Sequence, residues 1–165
     1  MVDRLEEAKP DVIFNALHGR WGEDGCVQGI FEWLQIPYTH SGIHASSLSM
    51  DKLKAKEVYE ANKLPTPQSF KIPKNEVLDQ SPFNPPFVVK PVKDGSSVGV
   101  QIIHSEMPAS LLGKTFDVDY MIEEYIPGRE LTVSVLDEKS LTVTEIITKG
   151  FYDCLLYTSP SPRDS

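Results

Sequence analysis

Apolar and polar positions alternate with two different periods along this chain. The acidic opening Arg4-Leu5-Glu6-Glu7-Ala8-Lys9 reads as helical, and Asp11 to Leu17 (DVIFNAL) reads as a short buried strand. After the loop HGRWGEDG, Val27, Ile30, Phe31 and Leu34 recur at helical spacing, and IPYTHSG ends that helix. A strand, a glycine-rich loop and a helix in succession predict an α/β unit. Ser49-Met50-Asp51 precedes a second helix, KLKAKEVYEANK, with Leu53, Val58 and Ala61 expected on one face. LPTPQSF stops it, because proline cannot continue a helix, and marks a linker or domain edge.

From Phe83 onward the pattern shifts to strands. FVVK, VGVQII, YMIEEYI, ELTVSVL and LTVTEIIT are β-branched and aromatic-rich runs, most of them separated by Gly, Pro, Asp or Ser. They predict an antiparallel sheet with a short helix near Ser110, hence a second, α+β unit. No internal repeat is present. The end, CLLYTSPSPRDS, has neither period and resembles the conceptual translation of a transposon-end sequencing adapter. Residues 154–165 are therefore expected to be a non-native tail and are set aside from the fold, as a fusion scar is.

The chain has 165 residues, room for one domain or parts of two. A net charge of -8 argues against nucleic acid or an anionic membrane surface as the main partner, though not against a local basic pocket. No apolar run approaches a membrane span, and no signal peptide opens the chain. Cys26 and Cys154 form neither a metal nor a disulfide pattern, which fits a reducing compartment, so the expected setting is the cytoplasm.

The candidate chemistry begins at PFVVKPVKDGSSVGV. Lys90 ends an apolar run beside the loop Gly95-Ser96-Ser97-Val98-Gly99. A point charge and several free backbone N–H groups together hold a phosphate well. The motif is neither a P-loop nor a dinucleotide fingerprint, and a hairpin loop with an exposed lysine is an equal alternative. In HGRWGEDG, three glycines allow close backbone approach at a helix start, with His18 and Arg20 as added donors. A capped strand-to-helix turn explains Asp24 and Gly25, yet gives no reason for His18 beside Gly19. Lys52 opens the second helix, where a lysine by itself reads as a solvated face. Glu123 and Glu124 close one strand and Glu130 opens the next. These carboxylates could hold an adenine amine and ribose hydroxyls, or simply charge a crossover. His40, His44 and His104 show no metal-ligand spacing.

Together, HGRWGEDGCVQG, YTHSG, ASSLSMDK, LPTP, VVKP, DGSSVGV, EEYIPGREL and FYD resemble the D-alanine–D-alanine ligase family of the ATP-grasp superfamily, in order and spacing, from about Val12 to Asp153. The resemblance implies the end of an N-terminal α/β (pre-ATP-grasp) substrate domain over 1–50. A truncated ATP-grasp domain with an antiparallel sheet would follow over 51–153. It implies that ATP lies between two α+β subdomains. Lys90 and Lys52 match phosphate-contacting lysines, and Ser96, Ser97, Val98 and Gly99 the loop that closes over the phosphates. Ser96 and His18 match the residues nearest the chemistry, His18 lying near the first D-alanine. Glu123, Glu124 and Ile126 match the adenine hinge, and Glu130 the ribose contact.

The implied reaction passes the γ-phosphate of ATP to the carboxylate of one D-alanine. The amine of a second D-alanine attacks that acyl phosphate, giving D-alanyl-D-alanine for peptidoglycan precursors. The implied partners are two D-alanine molecules and Mg²⁺ (or Mn²⁺), and the full-length enzyme is expected to be a homodimer. Glu124 stands where the family has a lysine, and the tail follows FYD where the family has a lysine-tyrosine pair. The first strand with its substrate glutamate is expected before Met1. The metal cluster and the arginine that clamps the intermediate are expected beyond Ser165. The chain is thus expected to be an internal fragment that makes no dipeptide, with no metal ligand of its own. A D-alanine–D-lactate or D-serine ligase and a non-catalytic nucleotide-binding remnant are the rival readings.

Overall fold

The computed structural model describes residues 1–147 apart from 78–79, 96–97, 107, 109–110 and 112–114. The expected short helix at Ser110, the expected tail over 154–165 and the FYD stretch lie outside the described residues. Four helices come first: α1 (Val2–Ala8), α2 (Cys26–Trp33), α3 (Ile43–Met50) and α4 (Lys52–Ala61). Six strands follow: β1 (Ser69–Ile72), β2 (Phe87–Pro91), β3 (Gln101–Ile103), β4 (Tyr120–Glu124), β5 (Glu130–Leu136) and β6 (Lys139–Ile146).

The helix from Cys26 buries Val27, Gln28 and Phe31, and the Phe31 ring meets Tyr38 at 5.4 Å. The segment 11–17, expected as a buried strand, makes only an isolated parallel bridge from Ile13 to Tyr38. Phe14 is 80% exposed, and Val12 and Leu17 are also open. A strand is buried only where a second layer covers it, and no described element covers this one. The helix α3 was not legible as one: IHASSLSM has no apolar stripe, and Ser46 is its one buried residue.

In α4, Asp51 caps the helix by accepting from the Lys54 N–H at 3.1 Å. The expected apolar face of Leu53, Val58 and Ala61 is not the buried one; Ala55 and Lys56 are buried, while Val58 and Ala61 are exposed. Lys56 can turn inward because its ammonium finds partners there, which an apolar-period argument does not see.

The strands divide into two sheets rather than one. The four-stranded sheet has the order β1-β4-β2-β3, antiparallel throughout. Its first strand begins at Ser69, inside the stretch read as a linker. One face carries the core: Ile72, Phe87, Val89, Ile103 and Ile122, with Leu111 and Phe116 packed on. The two-stranded β5–β6 hairpin stands apart, turning through Asp137 and Glu138, both at positive φ (49° and 61°). Its side chains are almost all exposed.

Strand alternation now fixes what lies on the opposite face of the larger sheet. Val89 pairs with Ile122 on the core side, so Lys90 with Met121 and Val88 with Glu123 lie on the other side. The start of α4 is pinned to that region by the Lys52 N–H donating to the Val92 carbonyl at 3.1 Å.

Candidate functional site

Three lysines and one carboxylate meet on this second face. Glu123 is buried, and its two oxygens take different lysines: Oε2 pairs with Lys56 Nζ at 2.8 Å, and Oε1 with Lys90 Nζ. Lys56 also donates to Thr66 Oγ1 at 2.7 Å and to the Pro67 carbonyl at 2.6 Å, so all three of its ammonium donors are used. Lys90, from β2, is more open than Lys56, with its side chain 21% exposed against 9%. Lys52 reaches from the first turn of α4 and donates to the Asp94 carbonyl at 2.6 Å. Burial pushes the Lys52 ammonium below the ordinary lysine range, and the nearby Lys90 charge adds to that push. Asp94, Glu123 and Asp51 oppose it without cancelling it.

A loop from the first half of the chain meets Gly95, next to the Asp94 carbonyl that Lys52 holds. A Cβ placed on Gly95 would come within 3.0 Å of Gly19 Cα and 3.7 Å of Glu23 Oε2. The glycine pair therefore lets Gly95 and the 18–25 loop touch backbone to backbone. Gly99, at φ +70°, ends the 94–99 loop against Pro91 and the Tyr120 hydroxyl.

The 18–25 loop is held internally. Glu23 Oε2 accepts from the Gly19 N–H. Asp24 accepts from Trp21 and Cys26 at 3.1 and 3.0 Å. Desolvation works to raise the Asp24 pKa, but those N–H donors outweigh it and the carboxyl sits below its ordinary value. The Gly22 carbonyl accepts from both Asn15 Nδ2 (2.9 Å) and Gln28 Nε2 (2.8 Å), two buried amides.

Of the residues singled out in the sequence, Lys52 and Lys90 are brought together, and Glu123 lies beside Lys90 rather than apart from it. His18 is exposed on the loop that meets Gly95. Val98 is 55% exposed at the far end of the 94–99 loop. Glu124, Ile126 and Glu130 follow one another along the exit of β4 and the entry of β5, all exposed. Ser96 and Ser97 lie outside the described residues. Lys56 was missed; its sequence signal, a lysine four positions after Lys52 on the same helix face, is shared by countless solvated helices. Among the described residues no group of three or more His, Cys, Asp or Glu is placed to hold a metal ion. None of their helices is long and apolar enough to cross a membrane.

Comparison with known proteins bears on both halves of this arrangement. The family model described as D-ala D-ala ligase N-terminus matches residues 2–41, and that described as D-ala D-ala ligase C-terminus matches residues 51–158. A D-alanine–D-alanine ligase of Cereibacter sphaeroides is 55% identical over 150 residues, covering 90% of this chain and 49% of its own length. One from Ruegeria pomeroyi is 50% identical over 161 residues, covering 97% and 53%. The crystal structure of the Bacillus anthracis D-alanine–D-alanine ligase complexed with ATP superposes with a TM-score of 0.72 at 34% identity, covering 92% of this chain and 53% of that one. The chain spans about half the length of the curated relatives it matches.

Proposed function

The chain belongs to the D-alanine–D-alanine ligase family, with the ATP-grasp fold, and on that premise we propose that it forms the ATP-holding part of a cytoplasmic ligase that joins two D-alanines. The observation that carries this reading is the meeting of Lys52, Lys90 and the Asp94–Gly95 turn at one place. Two ammonium groups, one on a strand and one at a helix start, match the charge of a triphosphate. Lys90 and Lys52 neutralise phosphate oxygens, and the Ser96–Gly99 loop closes over them. Negative charge spreads over the phosphoryl oxygens during transfer, so fixed cations there lower the barrier. Glu123, Glu124 and Ile126 line the adenine end and Glu130 reaches the ribose. His18 and Ser96 stand nearest the D-alanine carboxylate that receives the γ-phosphate. Mg²⁺ belongs to this chemistry in general; among the described residues no group of three or more His, Cys, Asp or Glu is placed to hold it.

Isothermal titration of ATP into the chain tests the reading, with adenosine as the comparison. The expected outcome is saturable ATP binding at least tenfold tighter than that of adenosine, because the phosphates carry the contact. No saturable ATP heat, or equal binding of the two, contradicts it.

A further inference from the structure

Lys56 has no part in the function just described, yet it is the most deeply buried cation at the site. Its side chain is 9% exposed, and its three donors go to Thr66, Pro67 and Glu123. Glu123 thus holds two counterions at once, one from α4 and one from β2. A buried carboxylate with one counterion holds it tightly, since losing it strands a charge away from water. With two, either can leave while the other remains.

The two lysines are not equivalent in what they can do. Lys56 is fixed by a hydroxyl and a backbone carbonyl in addition to Glu123. Lys90 is the more exposed member, and its ammonium is close enough to Lys52 to disfavour that lysine's charge. Lys90 is therefore the one free to move toward an anion.

We propose that Lys56 is a positioning residue: the permanent counterion of Glu123, which leaves Lys90 free to exchange the carboxylate for a phosphate. The ligand half of this inference rests on the phosphate reading of Lys90; the counterion half does not.

Two measurements separate those halves. The first uses no ligand. Urea unfolding is followed for Lys56→Gln, Lys90→Met and the double variant, the glutamine keeping a donor toward Thr66 and Pro67. Each single variant leaves Glu123 one cation, while the double variant leaves none. The folded-to-unfolded ratio of the double variant should fall at least tenfold further than the product of the single effects. Simple multiplication of the two effects overturns the proposal. If Lys56→Gln alone does not fold, Lys56→Gln with Glu123→Gln should fold, because the neutral amide no longer depends on the mobile Lys90 for its only counterion; failure of that pair also overturns it.

The second measurement titrates inorganic tripolyphosphate, which has no adenine to involve the β4 exit. Lys56→Gln should weaken its binding about tenfold, because Lys90 becomes the sole counterion of Glu123. Adding Glu123→Gln should restore binding, because nothing then holds Lys90 back. Unchanged binding in Lys56→Gln, or no restoration, overturns the exchange. Absence of tripolyphosphate and ATP binding by the unaltered chain would instead contradict the phosphate site itself, and the unfolding comparison would still decide the counterion role.

Discussion

Replacing Lys90 with alanine should separate what this residue does for the fold from what it does for a ligand. On the folding side, the loss is one ion pair to Glu123 from a side chain that is 21% exposed. Glu123 keeps Lys56 at 2.8 Å, so its charge is not stranded. The cost to stability should then be at most about 1.5–3 kcal/mol, the range of a hydrogen bond to a charged group, lowered by the partial exposure of Lys90, and short of the roughly 3–5 kcal/mol that stranding a buried charge costs. On the ligand side, a charge-assisted contact to phosphate contributes about 1.5–3 kcal/mol. Since each 1.4 kcal/mol is tenfold, that loss weakens ATP binding roughly 10- to 150-fold. Urea unfolding and isothermal titration with ATP on the same preparation give both numbers. Unchanged ATP affinity would refute the phosphate assignment. A stability loss on the scale of a stranded charge would refute the view that Lys56 covers Glu123.

Further outcomes follow from neighbouring features. Lys52, lowered chiefly by burial and then by Lys90 and opposed by Asp94, Glu123 and Asp51, should lose its charge below the ordinary lysine range. ATP binding titrated across alkaline pH should therefore weaken earlier than a free lysine would allow. Folding stability should move the other way: the unfolded chain binds that proton more tightly, so this group's contribution rises with pH through the same window. Gly99→Ala would force a side chain into φ +70° and bring its Cβ within 2.9 Å of Pro91 Cγ, costing about 1–3 kcal/mol on urea unfolding; an unchanged midpoint would contradict the packing of the loop end. Phe87→Ala, at a core position 1% exposed, should cost about 3–5 kcal/mol by the same measurement, and a loss under 1 kcal/mol would mean that the core face is misassigned.

Part of the site was legible because β-branched and aromatic runs are a strong strand signal. FVVK and YMIEEYI each read as a strand, but only the register of their pairing, Val88 with Glu123 and Lys90 with Met121, puts Lys90 and Glu123 on one face. The same runs set Glu123 and Glu124 at the end of one strand and Glu130 at the start of the next. What escaped was whatever depends on partners distant in sequence. Lys56 looks solvated until Thr66, Pro67 and Glu123 are brought around it. Ser69 and Phe70 looked like linker because a four-residue strand with one buried side chain carries little pattern, and only pairing with β4 makes 69–72 a strand. The serine-rich α3 has no apolar stripe to betray it. DVIFNAL showed the reverse failure, since an apolar run predicts burial only if something covers it, and Phe14 is open.

The central claim, that ATP phosphates lie between Lys52 and Lys90, is tested most directly by labelling the lysine ε-carbons and following each NMR signal as ATP is added. The account predicts that the Lys52 and Lys90 signals move together and saturate with the same affinity, while Lys54, on the exposed side of α4 and paired with Glu57, stays where it is. Saturating movement of Lys54, with Lys52 and Lys90 unmoved, would contradict it.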